Sequence, residues 1–372
     1  MRWSWRIARI AGINVYAHVT FLILVAWIAI GAYVTRGPHA AVRATAFILL
    51  LFGIVVLHEL GHALTARRFG VRTRDIILLP IGGVARLERI PRRPIQEFWV
   101  AIAGPMVNIV LAGALYAILR FQGVEPLQGS GGGFLQQSLL VQLFWVNIFL
   151  ALFNLLPAFP MDGGRVLRSL LAMRMDYVQA TQVAASVGQF MALLFGFWGL
   201  FGNPFLLFIA LFVWIGAAEE ASMVQMESAL AGIPVERAMI TEYHVLEPSD
   251  PLGKAAEYVL SGFQQDFPVV ADGHVVGMLT RSDLLRGLAE RGPTAPVGEV
   301  MTKQFATADV HEFLDDALVR LRECECRAVP VLREGRLVGI LTPDNLSEYL
   351  MIREALRRRA RSAASGQETA YL

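Results

Sequence analysis

The sequence predicts a polytopic α-helical membrane domain, six transmembrane helices with a short re-entrant β hairpin, followed by a cytoplasmic α/β module of two repeats. Three observations predict it. Hydrophobic residues make up 55% of the 372 and charged residues only 17%, and the apolar excess lies in the first 220. Arginines gather in alternate loops between the apolar runs. After Ala218 the composition turns to mixed charge, and the chain repeats itself once at an offset of 62 residues.

An apolar run of about 20 residues crosses a bilayer as a helix. Val15 to Val34, Ala44 to Ala66, Gln96 to Leu119 and Gln136 to Leu156 meet that length. Val183 to Phe201 and Pro204 to Ala218 are shorter and share Gly202-Asn203-Pro204, a tight turn between two spans. Arg2, Arg6 and Arg9 precede the first run, eight arginines from Arg67 to Arg93 separate the second from the third, and Arg165, Arg168 and Arg174 separate the fourth from the fifth. The other loops carry Arg36 and Arg43, or the Gly-rich Gln122 to Gly133. The positive-inside rule then puts both termini in the cytoplasm. The N-terminus has no apolar core followed by a small-residue cleavage site, so no cleavable signal peptide is expected.

Between the second and third runs, Ile76 to Glu88 contains Pro80, Gly82 and Gly83, which prevent a regular helix. It reads as an extended hairpin, and Gly82, Gly83 and Val84 offer an edge on which an extended substrate could pair by strand addition. An amphipathic connector on the membrane surface is the other reading.

In the soluble part, Phe267-Pro-Val-Val aligns with Val329-Pro-Val-Leu, and His274 to Thr280 with Arg336 to Thr342. Each copy reads as strand, Gly turn at Gly273 or Gly335, strand, then a helix starting near Asp283 or Asn345. The expected boundaries are 1–220 for the membrane domain, 221–234 for a linker, 235–292 and 293–352 for the repeats, and 353–372 for a basic, disordered tail. Net charge is only +2, so no nucleic-acid partner is expected. Cys324 and Cys326, the two cysteines, are too close for an unstrained disulfide and fit a reducing compartment.

Chemistry is carried by His58-Glu59-Leu60-Gly61-His62, inside the second apolar run. Residues four apart share a helix face, so two imidazoles can meet one Zn²⁺ while Glu59 reaches a water beside it. His58 lies nine residues before Arg67, about 13 Å along a helix, so the metal would sit below the cytoplasmic surface. A catalytic zinc takes three protein ligands. The best third candidate is Asp162, in Asn154-Leu-Leu-Pro-Ala-Phe-Pro-Met-Asp-Gly-Gly, where Pro157 and Pro160 end helical geometry. Asp162 could equally cap a helix beginning near Gly164. Glu59 would move a proton from water to the leaving amine of a peptide. Gly104 and Asn108, four apart in the third run, read as a close-packing face.

The repeat resembles a tandem pair of cystathionine-β-synthase (CBS) domains. In that family Gly-x-x-Thr-x-x-Asp holds phosphate and ribose, which maps to Thr280 and Asp283 in the first copy and to Thr342 and Asn345 in the second. ATP or another adenine nucleotide is the implied ligand. Thr and Asp before a helix are also ordinary N-caps. The whole chain, from the His-Glu-x-x-His motif through Gly104-Pro105-Met106-Val107-Asn108 to Asn154 and Asp162, resembles the CBS-bearing branch of the site-two protease family.

That resemblance implies one Zn²⁺ per chain on His58, His62 and Asp162, catalysis by Glu59, and Asn154 as an auxiliary polar residue. It implies a membrane-anchored protein substrate, a location in a bacterial inner membrane, and homodimer formation through the CBS pair. Two other classes compete: a CBS-regulated transporter and a catalytically idle membrane scaffold. No inverted repeat of broken spans supports the first, and retention of Glu59 opposes the second.

Overall fold

The computed structural model describes residues 3–80, 82–87, 93–127, 137–262, 264–323 and 328–368. It divides into two units, Met1–Val224 and Gln225–Leu372. Cys324, Cys326, Arg89, Arg92 and the Gly-rich 128–133 lie outside the described residues.

Among the described residues, five helices are long and apolar enough to cross a membrane: α1 (Val19–Arg36), α2 (Pro38–Arg68), α3 (Pro94–Phe121), α6 (Tyr177–Phe201) and α7 (Phe205–Leu230). The fourth expected span is shorter. α4 (Leu139–Asn154) has 16 residues, about 24 Å of helix against a hydrocarbon core of about 30 Å. Pro157 and Pro160 follow it, and the chain runs irregularly through residues 155–161, where Ala158, Phe159 and Met161 are buried. Non-helical backbone at membrane depth needs such cover. The segment ends at α5 (Asp162–Ala172), a helix too short to span. Ideal Cβ atoms on Gly164 would lie 2.7 Å from the Ala158 carbonyl carbon, and on Gly163 would strike the Leu155 and Leu156 carbonyls. Only glycine lets α5 start this close.

The first expected span begins too early. Val15 to His18 belong to a strand, and the expected hairpin is half of a four-stranded sheet in the order β1 (Ser4–Ile10), β2 (Ile13–His18), β3 (Thr73–Leu79), β4 (Gly82–Leu87). The β2–β3 pair is parallel and the others antiparallel. β2 alternates, burying Ile13, Val15 and Ala17, a two-residue period that marks a strand with one packed face. These pack with Ile76 and Leu78 against Phe52, Val56, Leu60 and Ala63 of α2. The sheet therefore runs beside the helix that carries the histidine motif. Arg67 donates to the Ala11 carbonyl at 3.1 Å, and Phe21 packs on Phe52 with ring centroids 4.5 Å apart.

Arg168 on α5 has no solvent exposure and ties α5 to two neighbours. Its Nε donates to Glu97 of α3 at 2.8 Å and its Nη1 to Glu220 of α7 at 2.5 Å. The rings of Phe159 and Tyr177 flank the guanidinium at 5.1 and 5.0 Å.

The second unit contains α8 (Leu252–Ser261), β5 (Phe267–Ala271), β6 (His274–Leu279), α9 (Arg281–Arg291), β7 (Ala308–Asp309), α10 (Leu314–Glu323), β8 (Val329–Arg333), β9 (Arg336–Leu341) and α11 (Pro343–Glu368). Both hairpins turn through a left-handed pair, Asp272-Gly273 with φ of 50° and 79° and Glu334-Gly335 with 52° and 80°. The opening segments are exchanged between repeats. Ile240 pairs with Ile340 of β9 and Thr302 pairs with Met278 of β6. Val235 and Ala238 accordingly pack in the core of the second repeat, with Leu314 and Val329, while Val297 packs in the core of the first, with Leu252 and Phe267. Residues 353–368, expected as a disordered tail, continue α11. Arginine, alanine and leucine dominate its start and have high helix propensity.

Candidate metal centre

His58, Glu59 and His62 lie on α2 beyond its midpoint, where the helix is covered by the sheet on one side and α3 on another. Both imidazoles are buried. Close approach of α2 and α3 depends on two glycines: a Cβ at Gly61 would lie 2.8 Å from the Ala103 carbonyl oxygen, and one at Gly104 would lie 2.6 Å from His58 Nε2 and overlap His62 Nε2. Gly104 is thus both a packing residue and the space in front of the imidazoles.

Each imidazole is oriented through its Nδ1. His62 Nδ1 lies 2.7 Å from the Val100 carbonyl, which can only accept, so Nδ1 carries the proton. His58 Nδ1 lies 2.5 Å from Asn108 Oδ1. Both Nε2 atoms then present lone pairs, and both face Asp162 Oδ2, at 3.2 Å each, with 3.1 Å between the two nitrogens. Three acceptor atoms converge on one point. A tetrahedral zinc with bonds of about 2.0–2.1 Å sets its ligand atoms about 3.3 Å apart. The donor set, its spacing and the recess at Gly104 all fit that ion, and among the described residues this is the one cluster of three or more such side chains that could hold a metal.

Asp162 reaches the pair because α4 stops at Asn154 and α5 starts at Asp162. Glu59 is half-buried between the histidines on the helix and faces β4. A Cβ at Gly83 would lie 2.9 Å from Glu59 Cγ and from Val55 Cγ1. The structure thus brings Gly83 to Glu59, with Gly82 beside it on the same edge strand and the Val84 side chain exposed. Asn154 ends α4 and donates to its own Leu150 carbonyl at 2.9 Å.

Of the four residues aligned with nucleotide contacts, Thr280 and Thr342 cap helices α9 and α11, and Asp283 and Asn345 are the residues whose N–H groups they cap. Thr280 Oγ accepts from the Asp283 N–H at 3.1 Å and donates to Asp283 Oδ2 at 2.7 Å, and Thr302 donates to the same oxygen at 3.0 Å. Thr342 Oγ accepts from the Asn345 N–H at 3.2 Å, and the Asn345 amide donates to the Ala238 carbonyl.

In the sequence Asn108 reads only as part of a packing face, Asn147 carries no signal of a role, and Arg168 and Glu97 read as loop charge and span. Asn147 is fully buried on α4 and accepts from Asn108 Nδ2 at 3.0 Å. The sequence does signal a partner for it: a carboxamide amid fifteen mostly apolar neighbours is costly in a membrane span unless one is present.

The model of peptidase family M50 matches residues 46–137 and 132–195, and the CBS domain model matches 235–290 and 297–352. The zinc metalloprotease MJ0392 of Methanocaldococcus jannaschii is 32% identical over 95% of this chain and 98% of its own length. Rip3 of Mycobacterium tuberculosis, also named as a zinc metalloprotease, is 29% identical over 94% of this chain and 93% of its own. The solved structure of a site-2 protease from Methanocaldococcus jannaschii covers 59% of this chain and 95% of its own, with 38% identity and a TM-score of 0.44. The chain belongs to peptidase family M50, the site-2 proteases, in the branch that carries paired CBS domains, and is a zinc-dependent protease with several membrane-spanning helices.

Proposed function

We propose that this protein is an intramembrane endopeptidase that cleaves a membrane-anchored regulatory protein within or near its span, with His58, His62 and Asp162 as zinc ligands and Glu59 as general acid and base. The observation that carries this reading is the convergence of His58 Nε2, His62 Nε2 and Asp162 Oδ2, three metal-ligating atoms 3.1–3.2 Å from one another, beside the Glu59 carboxylate. Bound zinc supplies Lewis-acid chemistry, polarising a carbonyl oxygen and acidifying water. Glu59 would take a proton from the attacking water and deliver it to the leaving amine. Asn154, at the broken end of α4, is an auxiliary polar group for substrate or oxyanion.

A helical substrate must be unwound before its peptide bond is accessible. β4 is an edge strand whose Gly83 lies against Glu59, and strand addition along Gly82, Gly83 and Val84 would hold an extended segment beside the carboxylate. The arginine distribution supports cytoplasmic termini and a cytoplasm-facing site, and a bacterial inner membrane is the location that the family resemblance implies. The CBS pair, 235–292 and 293–352 after a 221–234 linker, supplies regulation through an adenine nucleotide near Thr280, Asp283, Thr342 and Asn345 and is the dimerising element.

The test is a membrane proteome comparison between cells expressing the wild-type protein and the Glu59→Gln variant. A single-span protein accumulates in the variant, whose zinc content equals that of the wild type. Cleavage persisting in E59Q rejects the mechanism.

A further inference from the structure

Beyond the three ligands, a buried polar relay leads away from the site into the next helix. It begins at His58 Nδ1, passes through Asn108 of α3 and Asn147 of α4, and ends on the backbone carbonyl of Leu143. Both asparagines have no solvent exposure. The end of the relay fixes its direction. Leu143 O can only accept, so the group that Asn147 turns to it, at 2.9 Å, is the NH₂. The Asn147 oxygen then faces Asn108, which must answer with its own NH₂ at 3.0 Å. That leaves Asn108 Oδ1 toward His58, at 2.5 Å, and His58 must hold its proton on Nδ1. Each step follows from the donor and acceptor inventory of the side chains.

We infer that Asn147, which touches no ligand atom, is a positioning residue: through Asn108 it holds His58 in the Nδ1-protonated tautomer, the form whose Nε2 lone pair can enter a metal bond. The inference rests on the assignment of His58 as a ligand. His62 needs no such device, because a backbone carbonyl orients it directly. His58 has a side-chain partner instead, and a carboxamide can rotate by 180° and present NH₂ in place of oxygen. Without Asn147 nothing in the relay penalises that rotation. His58 would then accept at Nδ1, carry its proton on Nε2, and turn an N–H toward Asp162 and His62.

The experiment uses the full-length protein in lipid bilayers and two substitutions of similar shape. Asn147→Leu removes the acceptor for Asn108. Asn147→Asp keeps an oxygen that accepts from Asn108. Zinc affinity, measured by competition with a chromogenic chelator, falls about 10–100-fold in N147L, the usual effect of losing a partner of a ligating histidine, and stays near wild type in N147D. Nitrogen-15 spectra of the histidine-labelled, zinc-free protein report the His58 tautomer directly: protonated Nδ1 in wild type and N147D, protonated Nε2 in N147L. Equal zinc affinity in N147L and wild type overturns the inference, as does an equal loss in N147L and N147D, which marks a packing role. A wild-type His58 protonated on Nε2 overturns it without any variant, should N147L fail to fold. His58→Ala is measured in parallel. Full retention of zinc in H58A defeats the ligand assignment instead, so the two failures are told apart.

Discussion

Gly104→Ala is the sharpest perturbation of the site, since it adds one methyl group and no charge. A Cβ there would lie 2.6 Å from His58 Nε2 and from His62 Cε1. Ordinary van der Waals contact begins at about 3.5 Å and His62 Nε2 lies closer still, so the imidazoles or α3 must retreat by more than about 0.9 Å. Metal bonds tolerate about 0.2 Å. A displacement near 1 Å at a reacting centre costs about 100-fold in rate, and overpacking costs about 1–3 kcal/mol of stability. Gly113, on the same helix, has nothing within 4 Å of its Cβ position, and there Ala gains up to about 1 kcal/mol over Gly. The expected result is that G104A loses zinc to a mild chelator and cleaves a single-span model substrate about 100-fold more slowly, while G113A binds zinc and cleaves as the wild type does. Zinc content by elemental analysis, cleavage by gel shift and unfolding temperature together read this out. A G104A protein with the zinc affinity and rate of G113A would refute the placement of the imidazoles against α3.

Gly83→Ala presses on Glu59 and Val55 but on no ligand, so it should lower cleavage while zinc content stays unchanged; zinc loss would contradict the separation of the two roles. Arg168→Met leaves Glu97 and Glu220 without their buried cation, which should cost about 3–5 kcal/mol and lower the unfolding temperature of the membrane unit sharply; an unchanged transition would remove Arg168 from the fold's supports. Adenine nucleotide should stabilise the CBS unit in the full chain by about 2.7 kcal/mol at a hundredfold excess over Kd and so raise its unfolding temperature, and Asp283→Ala should abolish the rise. An equal shift in both proteins would place the ligand elsewhere.

What could be read from the chain before its fold was known followed the strength of local signals. His58 and His62 are legible because a helix of 3.6 residues per turn fixes their common face. Asp162 is legible because two prolines and two glycines announce a broken helix. The repeat offset carries the whole α/β module. The sheet was half hidden: Ile13 to His18 alternates, but it runs straight into the apolar α1, and hydropathy averages the strand into the span. Asn108 and Asn147 gain their meaning only from each other, 39 residues apart and on different helices. Arg168 is a loop charge in the sequence and a buried hub in the fold, since nothing local announces Glu97 or Glu220 as its partners. The repeat boundaries mark where the sequence recurs, whereas the cores are assembled across them.

The exchange of opening segments between the CBS repeats has a consequence for how this half of the molecule can change. Ile233 to Ile240 complete the second core and Val297 to Thr302 complete the first. Removing either copy at its sequence boundary would strip a strand partner and buried side chains from the copy left behind. Truncation or domain grafting must therefore treat residues 233–350 as one block, and a gene lineage that loses one repeat would have to lose or rebuild the other with it.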